Sequence, residues 1–339
     1  MNRKSVFIAA TLLIAGFAGQ AAQAHRWGCW IQADRNVRLR NTSSLATAAV
    51  NEWNGSTILN ISSVSSGEET YSFAANSGNT GWGGLASITN ASGCTILRAT
   101  AQLNTYYSWT TNGARGVFCQ EVGHTFGLDH SNDGGCMGGG YWYDINTHYT
   151  LVSHNINDIG SMYANRKADP GEVFGEHGSP GGVAPRIHAY WINNPRSLRE
   201  TTRLASDVVV ATVTGVTDGK PIVDRSQDGY VSRIPTQRVT FSVMDTRKGS
   251  MVADETFVLF QNGDYNNRFD EDPSYKAGHT YLMFLTPRPD GMYLTVSPQG
   301  RYEISKDGLV PAAKDGFAAS LKGARIEDVI SDVQGALEQ

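Results

Sequence analysis

The stretch Cys119–Met137, CQEVGHTFGLDHSNDGGCM, decides how the chain is read. Successive residues of a helix turn by about 100°, so Gln120 and His124 share one face and can grip one ion from the same side. Glu121 lies beside that pair but rotated from it, placed to reach a water on such an ion. Gly127 offers a sharp exit from the helix, which returns His130 as a ligand from outside it. The spacing E-x-x-H-x-x-G-x-x-H thus encodes a base, a ligand, a turn and a further ligand. One coordination position is left for water, as in catalytic rather than structural zinc sites. These four residues at these spacings arise by chance on the order of once in a thousand chains of this length.

Working outward, Val117, Val122 and Phe126 join His124 at helical spacing, which predicts a helix over 116–127. Upstream, Leu45, Ala48, Ala49 and Trp53 predict a helix behind Thr42 or Ser43. ILNISSV, YSFAA, LASITNA and TILRATAQLN, rich in β-branched residues and separated by Gly, Asn and Ser, read as strands. A further helix is expected over 157–165.

Residues 26–165 resemble a metzincin zinc metallopeptidase domain of the matrixin-like branch. QEVGHTFGLDH matches the zinc motif and Met137 the Met-turn methionine. The order of elements agrees, from an early helix ending in AVNEW through TILRATAQLN to the motif helix. The resemblance implies an α+β, zincin-like fold with a mixed sheet beside an active-site helix, and endopeptidase chemistry on polypeptide substrates with Zn2+ as cofactor. Carried over by residue, it implies His124 and His130 as zinc ligands, Glu121 as general base and acid, and Met137 as the hydrophobic floor beneath the ion.

Gln120 stands where the family has its first histidine ligand. Its amide oxygen is neutral like imidazole but a harder, poorer donor for zinc. Three readings follow: ligation through Oε1, a hydrogen bond to water in a two-histidine site, or a peptidase-shaped module that binds peptides or surfaces without turnover. His25, His148 and His154 are substitute ligands to weigh against ordinary surface histidines. Tyr141 and Tyr143 either approach the ion or pack on the glycine-rich loop. Asp129 either orients a ligating histidine or simply turns the chain.

The N-terminus reads as an export signal: Arg3 and Lys4, an apolar run from Val6 to Phe17, then Ala22-Gln23-Ala24 as a cleavage pattern. His25 is the expected mature start, and the product is expected to be secreted or periplasmic and soluble, without a membrane span. All four cysteines, Cys29, Cys94, Cys119 and Cys136, fall in the first half. In an oxidising compartment they suggest two disulfides with three possible pairings. The expected arrangement is Cys119 with Cys136, tying the motif helix to the Met137 loop, and Cys29 with Cys94. A net charge of −4 with 18% charged residues offers no basic surface for nucleic acid.

Residues 166–185 have the Gly/Pro composition of a linker, so the chain divides into 25–165 and an accessory domain at 186–339. In the latter, Ser197 and Glu200 form a capping-box pattern. DVVVATVTGV, QRVTFSVMDT, ETFVLFQ, TYLMFLTP, MYLTVSP and YEIS read as strands, and Arg325–Leu337 as an amphipathic helix. A mainly-β barrel or sandwich with flanking helices is expected, similar in strand order to the small five-stranded barrels of netrin-like and inhibitor modules. DRSQDG (224–229) reads as a hairpin turn, and DYNNRFDED (264–272) as a solvated loop.

Overall fold

The computed structural model describes residues 25–139, 144–166 and 186–338; the segment 1–24 read as an export signal, Tyr141, Tyr143 and nearly all of the 166–185 segment lie outside them. The fold is α+β and dominated by sheet. In the N-terminal unit, β1 (Ile31–Gln32), β2 (Asn36–Asn41), α1 (Thr47–Ser56), β3 (Asn60–Ser63), β4 (Thr70–Ala75), β5 (Trp82–Ser92) and β6 (Thr95–Asn104) precede α2 (Thr111–Thr125) and α3 (Ser153–Tyr163). β7 (Arg186–Trp191) and α4 (Leu198–Leu204) follow. Then come β8 (Asp207–Asp218), β9 (Ile222–Arg225), β10 (Val231–Ile234), β11 (Thr236–Lys248), β12 (Thr256–Asn262), β13 (Arg268–Phe269), β14 (Thr280–Pro287) and β15 (Tyr293–Thr295). β16 (Arg301–Ser305), β17 (Gly308–Pro311), α5 (Gly316–Ala319) and α6 (Ile326–Leu337) close the chain.

The first sheet runs β13-β7-β5-β6-β4-β2-β3, with β1 paired to the start of β6. β2, β3, β4 and β6 are parallel, and β5 is antiparallel to both β6 and β7. Against this sheet lies α2, whose residues from Gly113 to Thr125 are all buried except Arg115. Its start is capped by Thr110 Oγ1, which accepts from Gly113 N at 2.9 Å. It ends at Gly127, with φ +89°, where any Cβ would strike the carbonyl of Trp30; only glycine fits this exit. The core around α2 contains Trp53, Phe118, Val122, Phe126, Met137 and Tyr163. Disulfides Cys29–Cys94 and Cys119–Cys136 join Cα atoms 5.4 and 5.8 Å apart.

The second unit contains a closed barrel of β8, β11, β12, β15 and β14, closed where β15 pairs with both β12 and β14. The run DVVVATV is buried on both faces for a geometric reason. Val209, Ala211 and Val213 point into the barrel with Phe241 and Met283, while Val208 and Val210 point outward under Val329 and Val333 of α6. At α4, Ser197 Oγ accepts from Glu200 N at 3.1 Å, and the Glu200 carboxylate returns to Arg196 N at 2.8 Å. Among the described residues no helix is long and apolar enough to cross a membrane.

Three features bind the units together. β7, numbered with the accessory region in the sequence reading, extends the N-terminal sheet by pairing with β5 from Trp82↔Trp191 to Ile88↔Arg186. The hairpin β9–β10 places Tyr230 on Tyr71 and Phe73 of β4, an interior strand of the sheet. The 264–272 segment, read as a solvated loop, instead turns inward: β13 joins β7, Phe269 is buried, and Asp272 pairs with buried Arg301 at 2.6 Å. Asp270, Glu271 and Asp272 find partners in Trp27, His188 and Arg301, distant in sequence, which composition alone does not show.

At the hairpin contact, buried Asp224 accepts from Ser77 Oγ at 2.7 Å and from Gln102 Nε2 at 2.6 Å. Asp224→Ala removes the buried acceptor that Ser77 Oγ and Gln102 Nε2 share, leaving Gln102 only its 2.9 Å bond to Ser77 Oγ, and is expected to cost about 1–3 kcal/mol. Thermal unfolding would register this as a midpoint lower by several degrees; an unchanged midpoint would show that the hairpin contact contributes nothing to stability.

Candidate metal centre

The motif residues lie where α2 meets β5 and β7. Strand and helix approach so closely at Gly84 that a Cβ there would overlap Val117 and the Glu121 carboxylate. Glu121 is fully buried, and neither of its oxygens has a hydrogen-bond partner among the described residues. Burial, then the negative charge of Glu271, push its pKa well above the usual carboxylate range, against a weaker opposing pull from backbone groups of Tyr190 and Ala86.

After the Gly127 turn, the chain carries His130 back over the end of the helix. His124 and His130 stand with ring centroids 5.2 Å apart. A third imidazole completes the group: His188 of β7 stacks on His124 at 3.8 Å and meets His130 edge-on at 4.4 Å. One ring nitrogen from each of the three lies within 4.8 Å of the others.

The outward-facing nitrogens identify the donors. His124 Nδ1 bonds to the Leu128 carbonyl at 2.8 Å, so it carries the proton and leaves Nε2 with a bare lone pair. His188 Nε2 faces Glu271 at 3.1 Å, which leaves Nδ1 bare in the same way. His124 Nε2, His130 Nε2 and His188 Nδ1 are all buried and all without a partner among the described residues. Burial, reinforced by the neighbouring His130, holds the His124 pKa at about 3. Burial and then His124 and His130 hold His188 well below its ordinary value. Both are neutral imidazoles at pH 7, the form that binds metal. A lone unpaired buried polar group costs about 1–3 kcal/mol, and a divalent ion satisfies all three nitrogens at once. The donor set therefore fits zinc, with Leu128 and Glu271 as outer partners that fix ring tautomers.

Gln120 is buried beside this group. Its Nε2 donates to Gly138 O at 3.0 Å, while Oε1 has no partner among the described residues. Met137 is buried over Gly123, one residue before His124, and its loop is closed by Ser131 N to Met137 O at 2.8 Å. Asp129 accepts from the backbone N–H of His130 at 2.8 Å and so fixes the turn. Trp27 walls the site with its ring edge toward His124 and His188, and its Nε1 donates to Asp270 at 2.6 Å. His25 and His154 lie together elsewhere, at the start of α3.

Sequence reasoning missed His188 and Glu271. The one local signal is the alternation in RIHAYW: Ile187 and Ala189 pack with Trp82 and Leu85, which turns His188 and Tyr190 toward α2. No family model matches the chain, and no characterised protein matches it in sequence.

Two substitutions separate the candidate third ligands. His188→Ala is expected to weaken zinc binding at this centre by at least about 100-fold, more than loss of an outer partner costs, whereas Gln120→Ala changes it by less than about tenfold. Competition titration against a chromogenic chelator reads both, and the reverse order would assign the third ligand to Gln120.

Proposed function

We propose that this protein is an exported zinc-dependent endopeptidase of metzincin-like, zincin-type architecture, its metal held by His124, His130 and His188. The observation that carries the reading is the cluster of orphaned, buried imidazole nitrogens, with the fully buried Glu121 carboxylate on the preceding turn of α2. Three protein nitrogens leave one coordination position open, the feature that separates catalytic from structural zinc sites. A divalent ion bound there supplies Lewis acidity and lowers the pKa of water. Glu121, returned to its ionised form by a neighbouring positive charge, takes a proton from the attacking water and passes it to the leaving amine. Trp27, Met137 and the Cys119–Cys136 bridge hold the ligands in register while this happens.

One observation favours a second reading. Glu121 is fully buried and β7 lies along the edge of β5 next to it, so a peptide has no path to the carboxylate while β7 stays paired. On that reading the chain is a binding protein in which the metal fastens β7 to α2, without turnover. Turnover on the first reading requires access to Glu121 with His188 kept in place, and a slow basal rate is expected.

Glu121→Gln separates the two. On the peptidase reading it keeps the zinc and lowers cleavage of an unstructured peptide by at least about 100-fold. Stoichiometric zinc with no cleavage by either protein supports the binding reading, and equal cleavage by both overturns the role given to Glu121.

A further inference from the structure

A second convergence of nitrogen and carboxylate donors lies on the N-terminal unit, outside the triad. His25 is lashed to the turn after α2 by Asp129 N to His25 O at 3.0 Å and Trp27 N to Gly127 O at 2.8 Å. His154 lies in the first turn of α3 with Asp158 one turn on, and Asp133 reaches in from the loop that follows His130. His25 Nδ1 and His154 Nε2 are 2.7 Å apart. His154 Nε2 is also 3.1 Å from Asp158 Oδ2 and 3.2 Å from Asp133 Oδ2. His25 Nδ1 is 3.5 Å from Asp158 Oδ2.

This arrangement asks more of His154 Nε2 than a ring nitrogen can give. An imidazole nitrogen holds either one proton or one lone pair. With a proton it serves one of three acceptors; with a lone pair it faces two carboxylates and a second ring nitrogen. Asp158, whose side chain is 7% exposed, has no ion-pair partner among the described residues except His25 and His154. A cation at the common centre resolves all of these contacts together. Ligands about 2.1 Å from a zinc ion stand about 3.4 Å apart, close to the 3.1, 3.2 and 3.5 Å that separate the carboxylates from the rings, while the two ring nitrogens, at 2.7 Å, would part to admit the ion.

We propose that His25, His154 and Asp133, with Asp158 as an adjoining carboxylate, form a second binding site for a borderline divalent transition metal such as zinc. Two imidazoles with carboxylate oxygens select that class over calcium and magnesium, which prefer all-oxygen sets. Removal of a leader ending at Ala24 would convert the His25 nitrogen, 3.3 Å from Asp158 Oδ2, into an amine able to chelate together with Nδ1. The site ties three segments together: the N-terminal strand end, the loop between His130 and Met137, and α3. It thereby holds the loop that carries one ligand of the first centre.

Zn2+ titration of the full exported chain tests this independently of the triad. Wild-type protein is expected to bind two equivalents, and His154→Ala to bind one. A His124→Ala/His188→Ala double variant is expected to retain one equivalent that His154→Ala then removes. Asp133→Asn, at a carboxylate 53% exposed and so tolerant of change, is expected to weaken the second site at least about tenfold while the fold is kept. Two equivalents persisting in both His154→Ala and Asp133→Asn, or a single equivalent indifferent to both, overturns the proposal. A single equivalent lost with His154→Ala upholds it and removes the triad instead.

Discussion

His124, His130 and His188 gather buried, unpartnered ring nitrogens within 4.8 Å of one another, and the rest of the architecture around α2 depends on how that is resolved. Desolvation keeps His124 and His188 from relieving the conflict by taking up a proton. Their other nitrogens are already committed to Leu128 and Glu271. Lone pairs held this way repel one another unless a cation lies between them. The surrounding structure keeps the rings in place: Gly127 turns the chain, Met137 and Trp27 pack around the rings, and the Cys119–Cys136 bridge anchors the loop.

The centre belongs to both halves of the chain. Two of its imidazoles come from the end of α2 and the turn after it, the third from a strand that follows residues 166–185 in sequence. Glu271, which orients that third ring, comes from within the C-terminal unit. The C-terminal unit is therefore docked against the N-terminal sheet in two places, by β7 and β13 along β5 and by Asp224, Asp228 and Tyr230 over β6 and β4. Separating the halves would dismantle the triad along with the interface.

Local chemistry made much of this legible. The His124 to His130 spacing, the Gly127 exit and the capping pattern at Ser197 all rest on interactions within a few residues. The cysteine pairs in the fold are the two expected ones. β8 and β14 of the barrel were visible because burial on both faces leaves long apolar runs, and β11 because its buried residues alternate. α2 begins earlier than its apolar spacing suggested, because the polar turn TNGAR hides a helix start that Thr110 caps. His188 was beyond reach for a different reason. Its role depends on β7 pairing with β5 across about a hundred residues of chain, and that register leaves no mark in RIHAYW beyond simple alternation. The acidic segment at 264–272 misled because a charge run looks solvated until its partners, Trp27, His188 and Arg301, are brought alongside.

Anomalous diffraction at the zinc edge, on crystals of the full chain soaked in Zn2+, tests the central claim most directly. A peak is expected bonded to His124 Nε2, His130 Nε2 and His188 Nδ1 at about 2.0–2.1 Å, with Gln120 still bonded to Gly138. A peak held by Gln120 with His188 turned away, or no peak among the three rings, would contradict it.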